Sequence, residues 1–178
     1  MIVRQMAPDE LDATRALSIA AFGDDQHIGV LLDALRASWA WDDGLSFVAE
    51  HEGELVGQVL YTHAILDASR ALQGVLVLSP VGVRPDLQRS GIGSALITTT
   101  LGWLRERGEP LVFLEGHPTY YPRFGFVRAA DHGFVAPSVR IPVDAFMVHR
   151  LPAYEPWMTG ALVYPDAFWR ADAVGLRG

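Results

Sequence analysis

The chain has no cysteine and no lysine among its 178 residues. Without cysteine there is no disulfide, no thiolate zinc site and no covalent acyl-cysteine intermediate. Without lysine a Walker-type phosphate loop is excluded, because that loop uses a lysine to reach the β- and γ-phosphates. All 14 basic residues are therefore arginine. No apolar run approaches the ~18 residues that cross a bilayer, and the opening MIVRQMAPDELD turns polar and acidic too early for a secretory signal. A cytoplasmic protein with no membrane partner is expected. A net charge of −7 argues against general nucleic-acid binding, which needs a basic face, so no nucleic-acid partner is expected either.

Half of the residues are hydrophobic and a fifth charged, the balance of a soluble globular chain. At this length the simplest organisation is one domain over residues 1–178, with a substantial core. MIVRQM reads as a first strand. Pro8 and Asp9 open an amphipathic helix through Leu11, Ala16, Leu17 and Ala20 that ends near Gly23. A second helix carries Ile28, Leu31, Leu32 and Leu35 on one side. SFVAEHEGELVGQVLYTHAIL is a hairpin turning at Glu52-Gly53-Glu54. VLVLSPVGVRP alternates little, which implies burial on both faces in mid-sheet. Pro80 cannot donate to a ladder there, so a bulge or a splayed strand is expected at that point. Residues Ile92 to Arg107 read as a helix closed by Gly108, and PLVFL as another buried strand. Further strands are expected at Phe126, in DAFMVHRL and in GALVY, giving a mixed α/β order. Trp39, Trp41, Trp157 and Trp169 are expected mostly in the core, with Trp39 and Trp41 also placed to rim a pocket.

The chemistry concentrates in VGVRPDLQRSGIGSAL, residues 81–96. A strand feeds a glycine-rich turn and then a helix start. The first turn of a helix has unpaired N–H groups at the positive end of its dipole. Gly91 and Gly93 let that backbone approach an anion, while Gln88, Arg89 and Ser94 add side-chain donors. By glycine spacing alone the same residues also suit a plain strand-to-helix turn. The dinucleotide fingerprint does not fit, since Leu96 stands where a third glycine or alanine belongs.

The longer pattern resembles the signature of GNAT-superfamily acyltransferases, Val-x-Pro-x-x-(Gln/Arg)-x-x-Gly-x-(Gly/Ala), matched by Val83, Pro85, Gln88, Gly91 and Gly93. Downstream, YYPRFGF fits a second family element, Tyr-x-x-x-Gly-Phe, through Tyr121, Gly125 and Phe126. PTYYPRFGF and GALVYPDAF together resemble a bacterial branch of small N-acetyltransferases. The resemblance implies an acyl-CoA N-acyltransferase fold, a mostly antiparallel mixed sheet with splayed middle strands flanked by helices. It also implies a family core over about 1–150 and a C-terminal strand and loop extension over 151–178.

It further implies that acetyl-CoA is the co-substrate and that no metal is used. The turn Gln88, Arg89, Ser90, Gly91, Ile92, Gly93 and Ser94 would then hold the pyrophosphate. The backbone of Val81, Gly82 and Val83 would pair with the pantetheine arm, and a backbone N–H at Val81 or Gly82 would polarise the thioester carbonyl. Tyr121 occupies the position from which the departing thiolate is protonated, a task suited to a phenol whose ordinary pKa is about 10. Tyr120 is expected to pack beside it, with an exchange of roles between the two tyrosines as the alternative. For the base, Glu50, His63, Glu115 and His117 are candidates, and a chain of waters is an alternative. The expected activity is acetyl transfer to a primary amine of a small molecule or peptide, directly within a ternary complex, by a monomer or homodimer. A longer acyl-CoA donor and a non-catalytic acyl-CoA-binding module are the alternatives.

Overall fold

The computed structural model describes residues 1–176. In chain order it forms β1 (Ile2–Gln5), α1 (Leu11–Ala21), α2 (Gln26–Arg36), β2 (Ser46–His51), β3 (Glu54–Ala68) and β4 (Leu72–Val83). These are followed by α3 (Ile92–Arg107), β5 (Leu111–Glu115), a 3-10 turn at Tyr121–Phe124, β6 (Val127–Arg128) and β7 (Phe134–Val135). The last elements are β8 (Phe146–Arg150), β9 (Gly160–Val163) and α4 (Asp166–Arg170). Helix α3 has the bounds the sequence predicts, with Gly108 as its left-handed C-terminal residue. The short β7 and α4 lack a periodic signal, and only packing defines them.

One sheet runs β1-β2-β3-β4-β5-β8-β6, and β9 joins the far end of β3 with β7 beside it. The β4–β5 and β7–β9 pairs are parallel and the others antiparallel. The β2–β3 hairpin turns on Glu52 and Gly53, both at positive φ, the two-residue geometry that matches the twist of adjoining strands.

Each face of the sheet carries its own core. On one side α2 and α4 bring Leu32, Leu35 and Phe168 against Phe113 and Phe146, with α1 packed beside α2. On the other, Leu96, Ile97, Leu101 and Leu104 of α3 cover Val59, Tyr61, Leu78 and Val112. Leu96 is fully buried, and its truncation to alanine belongs to the class that costs about 2–5 kcal/mol. Of the tryptophans, Trp39 and Trp169 are exposed against expectation, while Trp41 and Trp157 are partly buried against the α2–α4 core, with the Arg36 and Arg70 guanidinium groups over their rings.

Candidate active site

Strands β4 and β5 pair only through Leu76 with Val112 and Val77 with Phe113. Beyond that they part, for a local reason. Against β3 the register moves from Val59 opposite Val81 to Tyr61 opposite Leu78, so Ser79 and Pro80 together face Leu60. This is a β-bulge, and Pro80 has no N–H to donate to a ladder at that point. The Ser79–Pro80 peptide is cis. β5 turns instead to β8, pairing Leu114 with Met147 and Glu115 with Phe146. The end of β4 therefore has an open edge, as its misplaced proline predicts.

The backbone groups on that edge can be assigned. Arg84 donates its N–H to Val56, which makes that pair a hydrogen-bonded one. By the alternation of antiparallel ladders, Gly82 then exchanges its bonds with Gln58, while Val81 and Val83 turn theirs into the gap. The Val83 carbonyl is taken by Gln88, whose Nε2 donates to it at 3.2 Å and to Ala21 at 3.1 Å. Of the two expected carbonyl-polarising donors, this geometry leaves Val81. Gly82 serves by its lack of a side chain, because a Cβ there would stand 3.0 Å from Ala21 Cβ at the end of α1.

The turn after β4 runs from Arg84 to the start of α3. Gly91 caps α3 with φ 93°, a left-handed conformation that glycine adopts without the Cβ penalty. The helical ladder starts with Ala95 donating to Gly91, so the N–H groups of Ile92, Gly93 and Ser94 precede it at the positive end of the dipole. Gly93 faces Tyr120, and a Cβ there would stand 3.1 Å from the Tyr120 hydroxyl and narrow the cradle. Ser90 caps its own turn by donating to Leu87. The loop and the open edge of β4 line one groove of about 840 Å³, shared with Phe22, His117, Tyr120, Tyr121 and Arg123.

Tyr121 and Tyr120 pack edge to face, with ring centroids 5.1 Å apart, and Phe126 closes the other side of Tyr121. Burial first, and then the Tyr120 hydroxyl, push the Tyr121 phenol up to about 12, so it stays protonated through the neutral range. Gly116 makes room for this ring, since a Cβ at 116 would stand 2.8 Å from Tyr121 Cδ2 and closer still to Cε2. Tyr120, expected to pack, lines the groove, as do Arg123 and Phe22, to which the sequence gives no role. The first two share the YYPRFGF segment, and their spacing of three on a 3-10 turn was a usable signal. Phe22 had none, since it reaches the groove only because α1 ends against Gly82.

The four base candidates separate by position. Glu50 is bound to Arg4 at the β1–β2 edge. His63 faces Asp42, which also holds Arg107 near the far end of α3. Neither lines the groove. Glu115 follows Phe113 onto the α2–α4 face, where it accepts from the Tyr164 hydroxyl and the Gly175 N–H, both at 3.0 Å. Burial raises its carboxyl above the ordinary range. His117 is exposed on the groove, its Nδ1 3.0 Å from the Thr119 hydroxyl.

Residues 2–129 match the acetyltransferase (GNAT) domain family. The chain belongs to the GNAT acetyltransferase family. Among curated proteins it is 35% identical over 164 residues to the uncharacterized N-acetyltransferase YjhQ of Escherichia coli (strain K12), covering 89% of this chain and 90% of that one. It is also 35% identical over 136 residues to the mycothiol acetyltransferase of Streptomyces coelicolor, covering 70% of this chain and 42% of that protein. Among solved structures, a GNAT acetyltransferase from Brucella melitensis in complex with acetyl-CoA superposes with TM-score 0.74 at 30% identity, over 94% of this chain and 97% of the other. The GNAT N-acetyltransferase YhbS of E. coli, in complex with CoA, gives TM-score 0.82 at 26% identity, over 99% and 95%. The mostly antiparallel mixed sheet flanked by helices is thus the GNAT fold.

Proposed function

We propose that this GNAT protein transfers an acetyl group from acetyl-CoA to a primary amine by direct attack in a ternary complex. The observation that carries the proposal is the continuity of one groove from the glycine cradle of α3 to the open edge of β4 and the Tyr121 ring. When bound, acetyl-CoA supplies an activated acyl carbon, at which an amine forms a C–N bond as the C–S bond breaks.

The chain's own groups divide the remaining work. The N–H groups of Ile92, Gly93 and Ser94 hold the pyrophosphate, and Arg89 adds charge beside them. Val83 N–H and the Val81 backbone hold the pantetheine arm along β4, and Val81 N–H donates to the thioester oxygen as charge builds there. Tyr121, kept protonated by burial, gives its proton to the leaving sulfur. The acceptor ammonium loses one proton before attack and a second once the C–N bond has formed, both leaving through His117 or through water in the groove, and one proton returns from solvent to restore the phenol. With no cysteine, no acyl-enzyme forms on a thiol. The location of Gly82 against α1 keeps this wall of the groove closely packed.

Thiol release from acetyl-CoA is measured with amines, amino acids, aminoglycosides, polyamines and peptides as acceptors. Turnover with at least one acceptor, reduced by about 10²-fold in Tyr121→Phe with coenzyme A binding preserved, is the expected result. Saturable coenzyme A binding with no turnover on any acceptor overturns the catalytic proposal, and unchanged turnover in Tyr121→Phe overturns the proton-donor role.

A further inference from the structure

The family match ends at residue 129, yet the chain beyond it is built into the sheet. β9 pairs Gly160–Val163 with Ile65–Ala68 of β3, and α4 packs against α2. The segment after α4 then folds back on the loop that precedes β8. Gly175 takes a positive φ of 62°, and a Cβ there would stand 2.6 Å from the Arg140 carbonyl carbon, so only glycine fits. The Leu176 N–H donates to the Arg140 carbonyl at 3.1 Å, and the Arg140 guanidinium faces Asp172 at 3.9 Å.

One side chain ties this segment to the strand that leads into the site. Glu115, the last residue of β5, gives each carboxylate oxygen a different partner. Oε1 accepts from the Tyr164 hydroxyl and Oε2 from the Gly175 N–H, both at 3.0 Å. Tyr164 is itself buried, its ring stacked on Phe168 of α4 with centroids 4.7 Å apart. Packing alone does not ask for a carboxylate here. Leu111 and Phe113, which precede it on the same face, are apolar and fully buried, and burying a carboxylate is costly unless its oxygens are bonded. With both oxygens bonded, such a group fixes the geometry of the segments it joins.

The end of β5 lacks other support. Past Phe113 it has parted from β4, and among the described residues it pairs with β8 alone. The next residue is Gly116, whose N–H donates to Ala145 at 2.9 Å and whose missing side chain leaves the space that the Tyr121 ring occupies. The Glu115 anchor and the Tyr121 ring thus meet across one backbone position.

We propose that Glu115 is a positioning residue for the transfer reaction: its carboxylate anchors β5 to the C-terminal segment and so holds Gly116 and the Tyr121 ring against the groove. The inference rests on the proton-donor role of Tyr121 given above. It assigns the C-terminal segment, outside the family match, a part in catalysis without contact to either substrate.

The test compares Glu115→Gln and Tyr164→Phe with wild type in thiol release and coenzyme A calorimetry, below the melting range of each protein. Glu115→Gln keeps the size of the side chain but turns an amide NH2 toward one of the two donors, and Tyr164→Phe removes one hydroxyl and keeps the ring. kcat should fall about 10-fold in Glu115→Gln and about 3-fold in Tyr164→Phe, within the cost of misplacing a reacting group by up to ~1 Å. Coenzyme A affinity and the KM for acetyl-CoA should stay within about 2-fold of wild type. In a Tyr121→Phe background, Glu115→Gln should cost less than about 2-fold, because no proton donor is left to misplace. A purely structural role lowers the melt and leaves kcat of the folded protein at the wild-type value, and that result in both variants overturns the inference. So does a loss of coenzyme A affinity that matches the loss of kcat, or an equal loss of kcat in the two backgrounds. If Glu115→Gln does not fold, Tyr164→Phe decides by the same readings. Unchanged turnover in Tyr121→Phe overturns the proton-donor role, and wild type inactive on every acceptor overturns the catalytic reading; each takes this inference with it.

Discussion

Replacing Gly116 by alanine tests the position of Tyr121 without touching its chemistry. The backbone at 116 is not in the left-handed region, so alanine meets no conformational penalty and gains about 0.4–1 kcal/mol from the unfolded chain. The obstacle is steric. A Cβ at 116 would stand 2.8 Å from Tyr121 Cδ2, where ordinary contact begins at 3.4 Å, so the ring must withdraw by at least 3.4 − 2.8 = 0.6 Å at that atom. The same Cβ would lie 3.1 Å from Leu114 Cδ1, and the ring itself is confined by Tyr120 and Phe126. Overpacking of this kind costs about 1–3 kcal/mol, which the unfolded-chain gain only partly offsets. A net loss of ~1–2 kcal/mol lowers Tm by about 2–8 °C for a chain of this size. Misplacing a reacting group by about 1 Å costs up to about 10²-fold in rate, so kcat should fall about 10- to 100-fold. Coenzyme A affinity should change by less than about 3-fold, because the cradle and the β4 edge are untouched. Steady-state thiol release, calorimetric coenzyme A binding and a thermal melt measure the three quantities. A wild-type melt together with wild-type kcat would refute the reasoning. So would a fall in coenzyme A affinity equal to the fall in rate.

Other perturbations separate the remaining contributions. Gly93→Glu places a carboxylate and a side chain in the cradle beside Tyr120, and coenzyme A binding should drop by more than about 100-fold in calorimetry while the melt shifts little. Glu10 donates nothing but accepts from Arg4 and from the Ala7 N–H, and the Arg4 guanidinium lowers its carboxyl to about 2. Its contribution is complete above the ordinary carboxylate value and is lost as pH falls toward 2. Denaturant unfolding between pH 5 and 2.5 should show this limb, worth about 1 kcal/mol for a water-screened network, and Glu10→Gln should flatten it. Glu115 has the opposite sign, since burial raises its carboxyl in the folded state. The stability it confers is complete below the ordinary carboxylate value and declines as pH rises through the raised one. Glu115→Gln should remove that decline between pH 4 and 7, and a slope identical to wild type would show that Glu115 is not its source.

Much of the donor side is legible in local sequence because its parts are local. A helix start, two glycines and an arginine make an anion cradle within a few residues, and Pro80 signals a break in the ladder of its own strand. Tyr121 follows from a motif whose spacing fits one turn. The acceptor-side candidates behave differently. Glu50, His63, Glu115 and His117 are all candidates in the chain, and of the four only His117 lines the groove. The alternation of β5 sends Glu115 to the opposite face, where Tyr164 and Gly175, distant in sequence, occupy it.

By itself the sequence determined the longer strands and helices, the glycine turn at the start of α3 and the absence of thiol and lysine chemistry, because each depends on residue type or short-range geometry. Tertiary structure alone decided which backbone groups of β4 face the gap, since that depends on the register with β3 and a bulge at Ser79 and Pro80. It alone placed Phe22 on the groove and Gly116 under Tyr121. These are contacts between segments far apart in the chain, set by how the two faces of the sheet are covered.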